Sequence, residues 1–131
     1  MRALSWTPAL LGQIRSSAPI QGFAREASSY WDTEFVDQLE TDPKSIASDL
    51  IGHIPRDQVS TWQSGSPSDW AMESLQVAKD DAYGQLPEPS ARGSFRLSDE
   101  YVTTATEDVA LQLSKAGVRL AFVLNNAFRR Q

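Results

Sequence analysis

Apolar side chains recur along this chain at intervals of three and four residues, the spacing that puts them on one face of a helix. Phe23, Ala27, Trp31, Phe35 and Leu39 follow one another every fourth residue, which predicts an amphipathic helix over 23–39. Asp42-Pro43 reads as the next start signal, with Asp42 as N-cap and Pro43 at the first helical position, where its missing N–H is not needed. That helix is expected to bury Ile46, Leu50 and Ile54 and to stop at Pro55. Val59 and Trp62 predict a further short helix or turn within 55–63. Ser66-Pro67-Ser68-Asp69 is the sharpest boundary: the serine caps, the proline occupies the first turn, and Asp69 can answer the cap three residues on. Behind it Ala71, Leu75, Ala78 and Ala82 form a stripe of small and branched residues, suited to close helix packing, and Gly84 is expected to end the helix in the left-handed conformation.

Residues 85–97, with two prolines, a glycine and two serines, read as a loop. The last helix is predicted to start between Ser98 and Thr106 and carries the longest periodic run: Val102, Ala105, Val109, Leu113, Ala116, Leu120, Val123 and Ala127. Near its end Val118, Leu120, Phe122 and Leu124 place apolar groups on more than one face, so that end is expected to be central. No segment alternates with the two-residue period of a strand. The reading is an all-α, compact multi-helix domain over 23–131, preceded by a poorly matched segment, 1–22.

A chain of 131 residues with 40% hydrophobic content has the material for one core. Its net charge of −5 and pI near 4.7 argue against a broad Lys/Arg grip on a phosphate backbone, while leaving a metal-centred grip open. With no cysteine, disulfides and thiolate metal sites are excluded and the compartment stays unassigned. The N-terminal segment has Arg2 before a short apolar stretch and Ser17-Ala18 at a place resembling a cleavage site. Ser5, Thr7, Pro8 and Gln13 interrupt that stretch, so it makes no convincing signal peptide, which needs a core of about 7–15 apolar residues. No run approaches the roughly 20 apolar residues that span a bilayer. The composition therefore reads as soluble, with no membrane partner.

Three segments in order, SSYWDTEFVDQL at 28–39, SPSDWAMESLQVAKDDAYGQLP at 66–87 and VALQLSKAGVRLAFVLNNAF at 109–128, resemble the S-one/P-one family of zinc-dependent, single-strand-specific nucleases, relatives of bacterial zinc phospholipase C. The resemblance covers about 23–128 and corresponds to the C-terminal half of that family's fold. It implies an endonuclease scaffold in which three zinc ions, held by His, Asp and the mature N-terminus, activate a hydroxide for attack on phosphodiesters of single-stranded DNA and RNA. Family members are usually secreted or periplasmic. The family pattern Asn-Leu-His-x-x-Trp-Asp, with its two ligands four apart on one helix face, falls on residues 26–32. Trp31-Asp32 is kept, and the resemblance makes Asp32 a vestigial zinc ligand. Ser28 stands where the histidine would be, Glu26-Ala27 replace Asn-Leu, and a neutral hydroxyl is a poor zinc donor beside imidazole. The remaining ligands belong to an N-terminal half outside the matched segments.

His53, the single histidine, matches no family ligand; it stands near a helix end, where a cation is favoured. Trp70-Ala71-Met72-Glu73-Ser74 is a family signature read here as packing, with Arg119 in Gly-Val-Arg-Leu the candidate partner for a half-buried Glu73. Trp31, Trp70, Glu73 and Arg119 are thus structural candidates, and no catalytic residue is assigned. Trp31, Phe35 and Trp62 sit at core spacing rather than on a base-stacking face. Asp80-Asp81 and Asp99-Glu100 are expected to be solvated.

The leading expectation is a nuclease-like domain, inactive by itself and binding no zinc alone, with single-stranded nucleic acid a partner only by family analogy. Two alternatives stay open. One is a subunit completed by a separate N-terminal half, which predicts an exposed apolar patch. The other is a repurposed, inhibitor-like interaction module whose acidic charge suits a basic protein.

Overall fold

The computed structural model describes residues 20–21, 30–39, 42–88, 91 and 94–129. Within them the chain is all-α apart from one two-residue antiparallel pairing, β1 (Ile20–Gln21) with β2 (Ser94–Phe95). A first π-helical turn, Tyr30–Glu34, runs into a single α-turn, α1 (Phe35–Asp37). Residues 23–29 of the helix predicted over 23–39, Ser28 among them, and the N-terminal 1–19 stretch lie outside the described residues.

Local signals place the remaining starts. At α2 (Pro43–His53) the Asp42 carboxylate accepts from the Ser45 N–H at 2.9 Å, satisfying one orphan donor of the first turn. Pro55 follows α2, then a 3₁₀ turn (Arg56–Gln58) and α3 (Val59–Gln63). At α4 (Pro67–Val77) the capping box closes in both directions: the Asp69 N–H donates to Ser66 Oγ, and the Ser66 N–H donates to Asp69 Oδ2 at 2.8 Å. Gly65, at φ 86°, turns the chain into this cap in a region L side chains avoid. A second π-turn, Ala78–Tyr83, extends α4. The long α5 (Asp99–Phe128) begins where Ser98 Oγ accepts from the Tyr101 N–H, with Asp99 and Glu100 at the positive helix end.

Helix α5 has 30 residues, about 45 Å at 1.5 Å per residue, and the short elements are arranged along it. The core joins Phe35, Leu39, Leu50 and Leu97 to Tyr101, Ala105, Val109 and Ala110 of α5. The buried hydroxyls of Thr106 and Ser114 each donate to the carbonyl four residues back, at 2.8 Å, so they do not compete with packing. Trp62 of α3 is buried farther along the same helix.

Three expectations need correction. The end of α5 is not central: Leu120, Val123, Leu124 and Phe128 are 59%, 46%, 44% and 68% exposed. Two-faced apolarity marks surface that wants covering, but no other described α-helix exceeds 11 residues, about 16 Å, and the described elements leave α5 bare beyond Arg119. The stripe on α4 is likewise incomplete, since Leu75 is 44% exposed and only Ala82, beyond α4, is buried. Gly84 is right-handed at φ −67°. Its requirement is space: a Cβ there would lie 2.5 Å from the carbonyl oxygens of Lys79 and Asp80, which the wide π-turn brings against it.

Two glycines should therefore respond oppositely to alanine. Gly117→Ala, in a helix interior with nothing within 4 Å of the new Cβ, should raise stability by roughly 0.5–1 kcal/mol. Gly84→Ala should lower it by about 1–3 kcal/mol, as overpacking does. Urea midpoints at constant m-value read both signs.

Candidate functional site

The residues singled out by sequence converge on one cleft between the first π-turn, α4 and α5. Its volume is about 710 Å³, and Trp31, Asp32, Trp70 and Arg119 all line it, with Leu113, Leu120 and Val123 among its apolar wall. Each position has a local cause. Trp31 is held edge-on to Phe35 and Tyr101, with ring centroids 5.5 and 6.5 Å away. Its indole N–H donates to Tyr101 Oη at 3.1 Å, and Tyr101 Oη donates to the Ala82 carbonyl at 2.6 Å. These two bonds tie three elements together and leave the neighbouring Asp32 exposed at the rim of the cleft.

Arg119 forms the far wall. It is 8% exposed, and its charge is met on every side: Nε donates to the Trp62 carbonyl at 3.0 Å, Nη2 donates to Glu73 Oε2 at 2.7 Å, and the guanidinium lies 5.2 Å from the Trp70 ring centroid. Lys115 Nζ donates to the other Glu73 oxygen at 2.8 Å. Burial alone would push the Glu73 carboxyl up, but the hydrogen bonds and charges of Arg119 and Lys115 outweigh it and hold it below the usual glutamate range. Trp70 is also pinned at its other edge, its indole N–H donating to the Ser64 carbonyl at 2.8 Å. Lys115 and the Trp62 carbonyl were not legible as members of this cluster; the spacing of Lys115 four residues before Arg119 was the available signal.

His53 lies elsewhere. At the end of α2 its Nδ1 is 2.8 Å from the Asp49 carbonyl and 3.5 Å from the Asp49 carboxylate. Among the described residues no three His, Asp or Glu side chains gather as a set able to hold a metal ion. One exposed carboxylate on a mainly apolar cleft is a single ligating side chain, whereas zinc without thiolates needs nitrogen or oxygen donors from several side chains converging at about 2 Å. The described donor set does not fit a three-zinc centre.

The acidic pairs divide. Asp99 and Glu100 are exposed, as is Asp80, whose carboxylate accepts from Gln76. Asp81 departs from the expectation of solvation: it is half-buried, and burial, followed by the influence of Asp81, pushes the Asp108 carboxyl of α5 up to about 6. Asp108 was missed, although it stands seven residues after Tyr101 and three after Ala105, on the core-facing side of the helix.

A family profile described as S1/P1 Nuclease matches residues 20–129. Endonuclease 2 of Arabidopsis thaliana is 27% identical over 124 aligned positions, covering 83% of this chain and 41% of the plant protein. The chain thus spans less than half the length of that curated relative. No solved structure matches it.

The Glu73–Arg119 contact sets a prediction with a worked sign. A double-mutant cycle with Glu73→Gln and Arg119→Met should give a coupling of about 1 kcal/mol, kept modest because Glu73 is partly solvated. A carboxyl held low stabilises the fold above the ordinary value of 4.5 and loses that contribution as pH falls through its lower folded value, so the coupling should vanish in acid. Additive single effects at neutral pH would refute the pairing.

Proposed function

Because the chain belongs to the S1/P1 nuclease family, we propose that it is a nuclease-related helical domain that carries the scaffold of the fold and does not hydrolyse nucleic acid by itself. The observation that carries this reading is the isolation of Asp32. The segment matching the family's Trp-Asp is held by aromatic contacts and two hydrogen bonds, yet its carboxylate meets no converging donors among the described residues. Ser28, at the family's histidine position, adds no imidazole. A phosphodiester whose hydrolysis depends on several cations would find here at most one ligand to one of them. The chain's charge of −5 supplies no alternative electrostatic grip on single-stranded DNA or RNA.

A second feature favours completion by further polypeptide, on the same chain or another. Leu120, Val123, Leu124 and Phe128 at the end of α5, with Met72 and Leu75 on α4, stay exposed. Two clefts flank α5, the one just described and a groove of about 610 Å³ against α2, walled by Ile46, Leu50, Ile51, Gly117, Val118 and Ala121. An apolar surface of this continuity supports docking of the remaining family sequence, which in the plant relative makes up more than half the length.

Metal analysis of the purified 131-residue chain after zinc loading and desalting should find well below three zinc ions per chain, and gel assays should show no cleavage of single-stranded DNA or RNA. Robust zinc-dependent cleavage would overturn the reading. Mixing with a polypeptide that spans the other part of a family nuclease should bury the α5 end, seen as slower amide exchange over 117–128; unchanged exchange counts against completion.

A further inference from the structure

From Val109 onward the apolar positions of α5 alternate strictly by four and three residues: Val109, Leu113, Ala116, Leu120, Val123 and Ala127. That is the heptad spacing of a seam that faces another helix along its length. Only the start of the seam is covered. Val109 is buried, whereas the next four positions lie exposed on the wall of the cleft and Ala127 lies exposed beyond it. Leu124 and Phe128 flank the seam and are 44% and 68% exposed. The bare face is on the order of 600 Å² per copy, the lower bound for one side of a stable interface. Two charges mark its ends. Asp32 lines the cleft beside Val109 and Gln112, and Arg129 follows the last turn of α5. Among the described residues neither side chain has an ion pair or hydrogen bond. Twenty positions, about 30 Å along the helix, separate Val109 from Arg129. Between them α5 holds no acid, and its two cations, Lys115 and Arg119, are already paired with Glu73.

We propose that the chain pairs with a second copy of itself through this face, the two α5 helices crossing antiparallel about Val118 so that the end of each lies in the other's cleft. The second copy carries what the cleft lacks, an exposed apolar helix with an unpaired cation at its tip. In this register Leu113 faces Val123, Val109 faces Ala127, and Leu120 of each copy seats against the small Ala116 of the other. Ala71 and Ser74 on the α4 side of the cleft are also small, which lets the incoming helix approach closely. Arg129 of each copy comes beside Val109 and Asp32 of the other, so the two unpaired charges meet twice. A parallel pairing would set Arg129 against Arg129 and align the helix dipoles, so electrostatics select the antiparallel one. The contact uses the same patch on both copies and therefore closes at two. It goes beyond completion by further family sequence and draws on the same surface, so at any one α5 end the two exclude each other.

Sedimentation of the whole chain from roughly 1 to 200 µM should show a monomer converting to a species of twice the mass. Leu120→Glu, at a position 59% exposed in the single copy, should keep the helical circular dichroism and hold the chain monomeric throughout. Asp32→Lys or Arg129→Glu alone should weaken pairing about fivefold, and the two together should restore it. Orientation is read with cysteine, which the chain lacks: Leu113→Cys and Val123→Cys should cross-link when mixed and neither should link with itself. A chain that stays monomeric at about 200 µM overturns the pairing. So does a dimer that survives Leu120→Glu, ignores the charge exchange, or is lost with Ile51→Glu in the groove against α2. Self-linking of either single-cysteine variant excludes the antiparallel register. A monomer that nonetheless takes up a polypeptide spanning the other part of the family fold overturns self-pairing alone and leaves completion standing.

Discussion

One long helix must find cover from elements a third of its length, and most of this structure follows from that constraint. Helix α5 offers a continuous apolar stripe over 30 residues, while α2 and α4 have 11 each and α3 only five. Burial of apolar area is the main favourable term in folding, so the short segments distribute along α5, with α1 packed on its first half, α2 alongside residues 113–121 and α3 at Arg119. Beyond that point the stripe continues without cover. The same arithmetic produces both the core at one end and the bare surface at the other.

Polar groups enter the covered part only where their hydrogen bonds are accounted for. Arg119 carries a full charge into a nearly buried position because Glu73, the Trp62 carbonyl and the Trp70 face surround it. Tyr101 can be a core residue because its hydroxyl both accepts and donates. Asp108 is the exception. Its shielded oxygen has no hydrogen-bond partner, and burial first, then neighbouring acids, push its carboxyl up to about 6.

The cleft that results is walled mainly by apolar side chains, with the Asp32 carboxylate exposed at its rim. Family membership accounts for the walls, since Trp31, Asp32, Trp70 and Arg119 all fall in matched segments. Multinuclear metal catalysis depends on donors drawn from several parts of a chain, and among the described residues no three His, Asp or Glu side chains gather.

The sequence by itself determined whatever a few neighbouring residues settle among themselves. Asp42, Ser66 and Ser98 each cap a backbone N–H three residues on, so α2, α4 and α5 start where local hydrogen bonding places them. The all-α class, the family segments and Arg119 as a partner for Glu73 were legible for similar reasons of periodicity and charge. Tertiary structure alone decided burial, which depends on what arrives from far along the chain. It left Leu120 and Val123 bare despite their periodicity, made Gly84 necessary through the carbonyls of a π-turn rather than through φ, and brought Trp31 to Tyr101 across 70 positions of sequence. A helical pattern shows which face wants covering; only the fold determines whether anything covers it, because that depends on the length and reach of the other elements.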